Sequence, residues 1–227
     1  SFVKNQQGFA PGSYLSLFGT GLSEVTRLFY TPYLPLSLAN VSVSFDVPSD
    51  NVSVPASVVY VSPGQLNIQI PWELAGYTSA QMKVSIGLTS SAVMTVPINT
   101  YSPGFFEYLT GGQSYLAAQD ASYRMIGPSN PAQGGSIILL YSNGLGPVTT
   151  PIPSGQPTPN QQITTTVTPQ VTIGGKPAQV VFSGLSPQSI GLYQVNVKVP
   201  TGLSPGNQTV KMSINGVDAK DAVIPVK

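Results

Sequence analysis

Glycine and proline are spread so evenly along this chain that they exclude long helices. The 227 residues include 23 glycines and 22 prolines, and no window of about twelve residues combines helical periodicity with freedom from both. The runs between them are short and rich in Val, Ile, Leu, Tyr and Thr. Many alternate apolar with polar side chains, as in LNIQI at 66–70 and YQVNVKV at 193–199. Short alternating strands separated by turns predict a sandwich or a barrel.

The same ordered set of motifs occurs twice in the chain. GSYLSLFGTGL at 12–22 is similar to GSIILLYSNGL at 135–145, and PASVVY at 55–60 is similar to PAQVVF at 177–182. LNIQIP at 66–71 pairs with VNVKVP at 195–200, and KVSI at 83–86 pairs with KMSI at 211–214. Ordered matches at a nearly constant offset indicate two copies of one domain. The copies have the size of an immunoglobulin-type sandwich. The sequence therefore predicts an all-β protein of two tandem immunoglobulin-like (E-set) β-sandwich domains.

The boundary between the two copies is predicted near the YSPG sequence at 101–104. The first repeat then covers residues 1–103 and the second covers residues 104–227, with a junction hairpin at about 105–126. Two stretches depart from the strand pattern. Residues 147–169 are rich in proline, glutamine and threonine, which predicts a long extended loop. Residues 25–39 form an irregular insert with an aromatic cluster.

Missing residue types limit the chemistry of the chain. The absence of histidine and cysteine excludes Ser-His-Asp and Cys-His catalysis and any disulfide framework. The net charge is only +1 and the cations are scattered, so no basic face for nucleic acid is expected. No apolar run reaches the roughly 18 residues that span a bilayer, which argues against direct membrane insertion. We predict that the chain is not an enzyme and has no cofactor and no metal site.

Paired carboxylates are the one remaining route to catalysis, because glycoside hydrolysis needs only two of them. The near pairs in this sequence are Asp46 with Asp50 and Asp218 with Asp221. Both pairs are predicted to lie in turns, where an aspartate caps its own backbone. A hydrolase, or a calcium site that uses Asp46 and Asp50, is the least favoured alternative.

Three aromatic side chains are the candidate ligand-binding residues. Trp72 is the only tryptophan and follows the end of a predicted strand, and Tyr30 and Tyr33 lie in the irregular insert. An aromatic ring that is exposed on a loop can hold a sugar or a protein partner. A buried ring would instead cover the end of the first core, pack at the domain junction or lie over the sandwich edge. The buried alternative is favoured for all three residues.

Several longer motifs resemble a known family. They are similar to an uncharacterised C-terminal domain family expanded in Solibacter and its acidobacterial relatives: PGSYLSLFGTGL, VPASVVYVSPGQLNIQIPWELAG, GLGPVTTPIPSGQPTP, VTIGGKPAQVVFSGLSPQSIGLYQVNVKVP and NGVDAKDAVIPV. The individual repeats also resemble IPT/TIG domains, which have an immunoglobulin-like E-set fold. The resemblance implies a module at the C-terminal end of large exported proteins. It brings no assigned activity and no catalytic motif.

Two functional hypotheses follow from the sequence. The leading one is a non-catalytic structural or adhesion module of an exported bacterial protein, located outside the cell or at its surface. The alternative is a carbohydrate-binding module for environmental polysaccharides that uses Trp72, Tyr30 or Tyr33. The expected binding partner is a polysaccharide or another surface protein. Few charges protect the strand edges, so dimerisation by edge-strand pairing also stays open.

Overall fold

The computed structural model describes residues 8–29 and 32–227. The regular elements of this part of the chain are antiparallel strands and two short 3-10 helices, Pro48–Asp50 and Trp72–Leu74. None of the described helices has the length and apolarity needed to cross a membrane. The predicted all-β fold is confirmed, and the strands form two tandem β-sandwiches.

The first sandwich is built from two antiparallel sheets. One sheet has the strand order β1-β6-β5-β2, and the other has the order β4-β3-β7-β8 with β9 also paired to β7. Its strands are β1 (Tyr14–Phe18), β2 (Arg27–Leu28), β3 (Val41–Val47), β4 (Val52–Pro55), β5 (Ser57–Val61), β6 (Gln65–Gln69), β7 (Ser79–Ile86), β8 (Thr89–Ser90) and β9 (Met94–Pro97).

Alternation of side chains explains how the two sheets of the first sandwich meet. Val41, Val43 and Phe45 of β3 are buried, while the Ser and Asp residues between them are half-buried on the outer face. Leu66 and Ile68 of β6 are buried in the same way. Burying one such side chain stabilises the fold by about 1.5–3 kcal/mol. The alternation therefore fixes the register of each strand against the core.

The second sandwich shares one long strand between its two sheets. The first residues of β17 pair with β16, and the later ones pair with β18 and β15. Its strands are β10 (Gly104–Phe105), β11 (Glu107–Thr110), β12 (Gln113–Leu116), β13 (Ala118–Asp120), β14 (Ile137–Asn143), β15 (Ile163–Thr164), β16 (Gln170–Ile173), β17 (Lys176–Leu185), β18 (Tyr193–Lys198), β19 (Gly206–Ile214), β20 (Val217–Asp218) and β21 (Ala222–Val226).

Each sandwich encloses its own hydrophobic core. One core takes its buried residues from 41–98 and the other from 105–226. In the second core, Tyr193 is fully buried and its hydroxyl donates a hydrogen bond to the carbonyl of Gly146. Trp72 belongs to the first repeat in sequence, yet it packs against the second core together with Tyr101. These two rings mark the place where the sandwiches meet.

Candidate functional site

A side-chain amide of the second sandwich binds the edge of a strand of the first. The backbone N–H of Tyr14 donates to Oδ1 of Asn143 at 2.9 Å, and Nδ2 of Asn143 donates to the carbonyl of Tyr14 at 3.0 Å. Asn143, at the end of β14, is buried. The Tyr14 hydroxyl also donates to the carbonyl of Ile190 at 2.5 Å, and burial raises the pKa of this hydroxyl to about 12. The amide thus occupies the position that a neighbouring strand would take on β1.

The proline- and threonine-rich loop of the second repeat reaches the first sandwich. Oγ of Ser154 accepts from the backbone N–H of Trp72 at 2.8 Å and donates to Oε2 of Glu73 at 2.6 Å. The backbone N–H of Gly155 donates to Oε1 of the buried Gln69 at 2.7 Å. We call Ser154 and Gly155 the clasp. It supplies partners for polar groups of the first sandwich that the junction buries.

Trp72 lies at this junction and is half-buried. Its ring packs so closely over Gly12 that a Cβ atom at that position would overlap the indole. Trp72 also lines a cleft of about 230 Å³ whose other walls include Tyr77, Pro147 and Ile152. The ring therefore combines a packing role between the two sandwiches with access to a small, mainly apolar cleft.

Tyr33 lies on a wider groove between the sandwiches. The groove has a volume of about 1060 Å³, and its wall also includes Phe29, Pro157, Asn160 and Gln188. The Tyr33 side chain is 62% exposed. None of the described residues that line the groove is charged. The third candidate, Tyr30, lies outside the described residues.

One carboxylate of each near pair lies in a strand, and the other lies outside the strands. Asp46 is in β3 and Asp218 is in β20, so the prediction that both pairs lie in turns is wrong for these two residues. Asp46 occupies an outward position of an alternating strand, where a polar side chain is as acceptable as in a turn, and accepts a hydrogen bond from Ser53 at 2.5 Å. Within residues 8–29 and 32–227, no three acidic side chains gather closely enough to hold a metal ion.

Asp120 is the carboxylate whose pKa changes most clearly. Burial alone would raise its pKa, but hydrogen bonds from Arg124, Asn130 and Ser122 outweigh this effect and lower the pKa to about 2. The donors lie at 2.9–3.2 Å and include the Nε of Arg124. A carboxylate bound by so many donors stays ionised and holds the turn after β13 in place.

The junction residues other than Trp72 are missing from the candidate list that the sequence yields. Their signal is a departure from the internal repeat. By the alignment of the two copies, Asn143 corresponds to Thr20, and Gln69 corresponds to Lys198. Trp72 likewise departs from its counterpart in the second copy. Each of these junction positions therefore differs between the two copies.

Comparisons with known proteins give structural neighbours and no family. No family model matches the sequence, and no curated protein matches it. The chain is similar to "Bacteroides ovatus mixed-linkage glucan utilization locus (MLGUL) SGBP-B in complex with mixed-linkage heptasaccharide", with a TM-score of 0.36 and 14% identity over 99% of this chain. It spans 45% of that structure's chain.

A second solved structure is "Crystal structure of Dpr2 Ig1-Ig2 in complex with DIP-Theta Ig1-Ig3". Its TM-score is 0.23 and its identity is 12%, over 97% of this chain and 94% of that one. At these TM-scores neither structure transfers a function to this chain.

Proposed function

We propose that this chain is a rigid, non-catalytic structural or adhesion module of an exported bacterial surface protein. The observation that supports the proposal best is the junction, where hydrogen bonds hold one sandwich on the other at Tyr14, Gln69 and Trp72. Domains that lack such an interface usually move relative to each other. Leaving a buried hydrogen-bonding group without its partner costs about 1–3 kcal/mol. Several such bonds together favour one fixed orientation, as a spacer or a display unit requires.

Small-angle X-ray scattering tests the rigid junction. We expect the wild-type profile to fit one fixed arrangement of the two sandwiches. The double variant Asn143→Ala with Gln69→Ala should show a larger radius of gyration and need an ensemble of orientations. A wild-type profile that itself needs an ensemble would contradict a rigid module.

Immunolabelling tests the location. Antibodies raised against the purified chain should label intact cells of the source organism. The resemblance to the family of exported acidobacterial proteins supports this expectation. If labelling appeared only after permeabilisation, the proposed surface location would be rejected.

A second candidate function is carbohydrate binding, and the exposure of Tyr33 on an uncharged groove favours it. The carbon-bound hydrogens of a sugar ring pack on aromatic faces, and amide side chains can bond its hydroxyl groups. The groove offers both kinds of group in Tyr33, Phe29, Asn160 and Gln188.

Affinity electrophoresis in gels that contain neutral polysaccharides tests this second candidate. Tyr33→Ala should weaken the retardation that the wild-type chain shows. Trp72→Ala tests the cleft in the same assay. Leu109→Ala is the control, because that apolar side chain is 74% exposed and lines neither the groove nor the cleft. Failure of the wild-type chain to bind any neutral polysaccharide would reject the candidate.

A further inference from the structure

Both sandwiches carry the same pair of amides on one outer face. Nε2 of Gln65 donates to Oδ1 of Asn67 at 2.8 Å on β6, and Nε2 of Gln194 donates to Oδ1 of Asn196 at 2.8 Å on β18. On each strand the amides alternate with fully buried aliphatic residues. They therefore project away from the core.

Aromatic side chains lie directly opposite these amides in the first sandwich. Phe18 of β1 pairs with Gln65, and Tyr60 of β5 pairs with Asn67. Leu15 and Leu17 of β1 pack on the core, so Phe18 must lie on the outer face, where it is 76% exposed. We call Phe18, Tyr60, Gln65 and Asn67 the first platform.

The second sandwich repeats this arrangement strand for strand. Tyr141 of β14 pairs with Gln194, and Phe182 of β17 pairs with Asn196. We call Tyr141, Phe182, Gln194 and Asn196 the second platform. All four are half-buried, as side chains lying against a sheet surface are expected to be.

A backbone irregularity aims one aromatic ring outward in each copy. The register shifts between Val58 and Tyr60 in β5, and between Val180 and Phe182 in β17. Strict alternation from the buried Val58 would turn Tyr60 inward; the additional residue of the bulge turns it outward and returns Val61 to the core. Bulges are a recognised means of re-aiming a side chain. A bulge occurs at the same place in both copies. The outward direction of Tyr60 and Phe182 is therefore set by the backbone as well as by the residue type.

The sparse charge of the platform strands favours a neutral ligand over an anionic one. β1, β5 and β6 contain no charged residue, and β14, β17 and β18 contain only a lysine at an end of β17 and of β18. No cation belongs to the first platform itself, and the cation beside it in the same sheet is Arg27 of β2, which pairs with Val61. Rings and paired amides are suited to a neutral ligand that has apolar faces and hydroxyl groups at its edges.

We infer that the two platforms each bind a segment of a neutral polysaccharide chain and that the fixed junction makes the protein a bivalent binder. The inference takes its ligand class from the carbohydrate-binding candidate, but it does not depend on the Tyr33 groove. Joining two sites on one rigid body raises avidity about 10²–10⁴-fold when both sites can engage together. Loss of either platform should therefore weaken binding far more than loss of half the sites would.

The experiment measures binding to hydroxyethyl cellulose and galactomannan as neutral probes, with polygalacturonate as the anionic comparison. The variants are Phe18→Ala, Tyr141→Ala and the double variant. The control is Leu109→Ala, which removes a 74% exposed apolar side chain from a hairpin outside both platforms. Thermal melts by circular dichroism confirm folding. If Tyr141→Ala does not fold, Gln194→Ala takes its place and is compared with Gln65→Ala.

We expect the wild-type chain to bind a neutral probe, each single variant to bind at least about 10-fold more weakly, and the double variant not to bind. Leu109→Ala should bind like the wild type. Binding that is lost in Tyr33→Ala but kept in the double variant would overturn the platforms and leave the carbohydrate candidate standing. No binding to either neutral probe would overturn both. Equal or stronger binding to polygalacturonate would overturn the proposed preference for a neutral ligand.

Discussion

Replacing Asn143 with alanine tests whether the junction holds the two sandwiches together. The change removes both hydrogen bonds between the Asn143 amide and the backbone of Tyr14. It leaves an N–H and a carbonyl of Tyr14, 129 residues away in sequence, without these partners in a half-buried place. The substitution therefore acts on the contact between the domains more than on either core.

The structure sets the size of the expected effect. Each buried group that loses its partner costs about 1–3 kcal/mol, and two groups lose theirs. Partial access of water to Tyr14 reduces the sum, so we expect a loss of about 2–4 kcal/mol. A small domain unfolds with a urea dependence of about 2 kcal/mol per molar, so a loss of this size lowers the urea midpoint of domain unfolding by about 1–2 M.

Tryptophan fluorescence is the assay of choice, because Trp72 is the only tryptophan and lies at the junction. In the Asn143→Ala variant, the fluorescence transition should precede the loss of strand signal in circular dichroism. Asn207→Ala, at an exposed position of β19, is the matched control. If the two variants unfold within about 0.5 kcal/mol of each other, the argument that Asn143 joins the sandwiches is refuted.

Three further predictions test other parts of the structure. Gly12→Ala places a Cβ atom inside the Trp72 ring at a φ of +77°, so urea unfolding should show a loss above the roughly 1–3 kcal/mol of backbone strain alone. Gly21→Ala, at a φ of +65° with open space around it, measures that strain. Tyr193→Phe removes a hydroxyl from a buried carbonyl and should cost about 1–2 kcal/mol in the same assay. The pKa of Asp120 is lowered from 3.8 to about 2, so its contribution is complete above pH 4 and disappears as the pH falls toward 2. An acid titration of the free energy of unfolding should show this loss between about pH 4 and pH 2 in the wild type but not in Asp120→Asn.

The strands and the duplication could be predicted from sequence because both depend on local patterns. Alternation around Leu66 and Ile68 is set by one core face, and the structure has β6 at that place. The same patterns do not predict the direction of a side chain where a bulge interrupts the alternation. Nothing in SVVYV at 57–61 shows that a bulge turns Tyr60 outward, since the bulge depends on how β5 pairs with β6.

The candidate site was harder to predict because it is assembled between distant segments. Trp72 can be chosen as a candidate from its residue type alone. Asn143 and Ser154 are common polar residues, and their role is visible only once the arrangement of the two sandwiches is known. Their partners lie 129 and 82 residues away. Only a comparison of the two copies, position by position, shows that Asn143 departs from the repeat, since Thr20 stands at its place in the first copy.

The clasp also sets an order of events during synthesis. Ser154 follows the Trp72 backbone group that it binds by 82 residues. At about 5–20 residues per second, the ribosome adds that length in roughly 4–16 s. During this interval the clasp has not been synthesised, so the face of the first sandwich that it contacts stays uncovered. On a polysome, the loop of a neighbouring chain can reach that face first, so rapid translation should limit the yield of exchanged dimers.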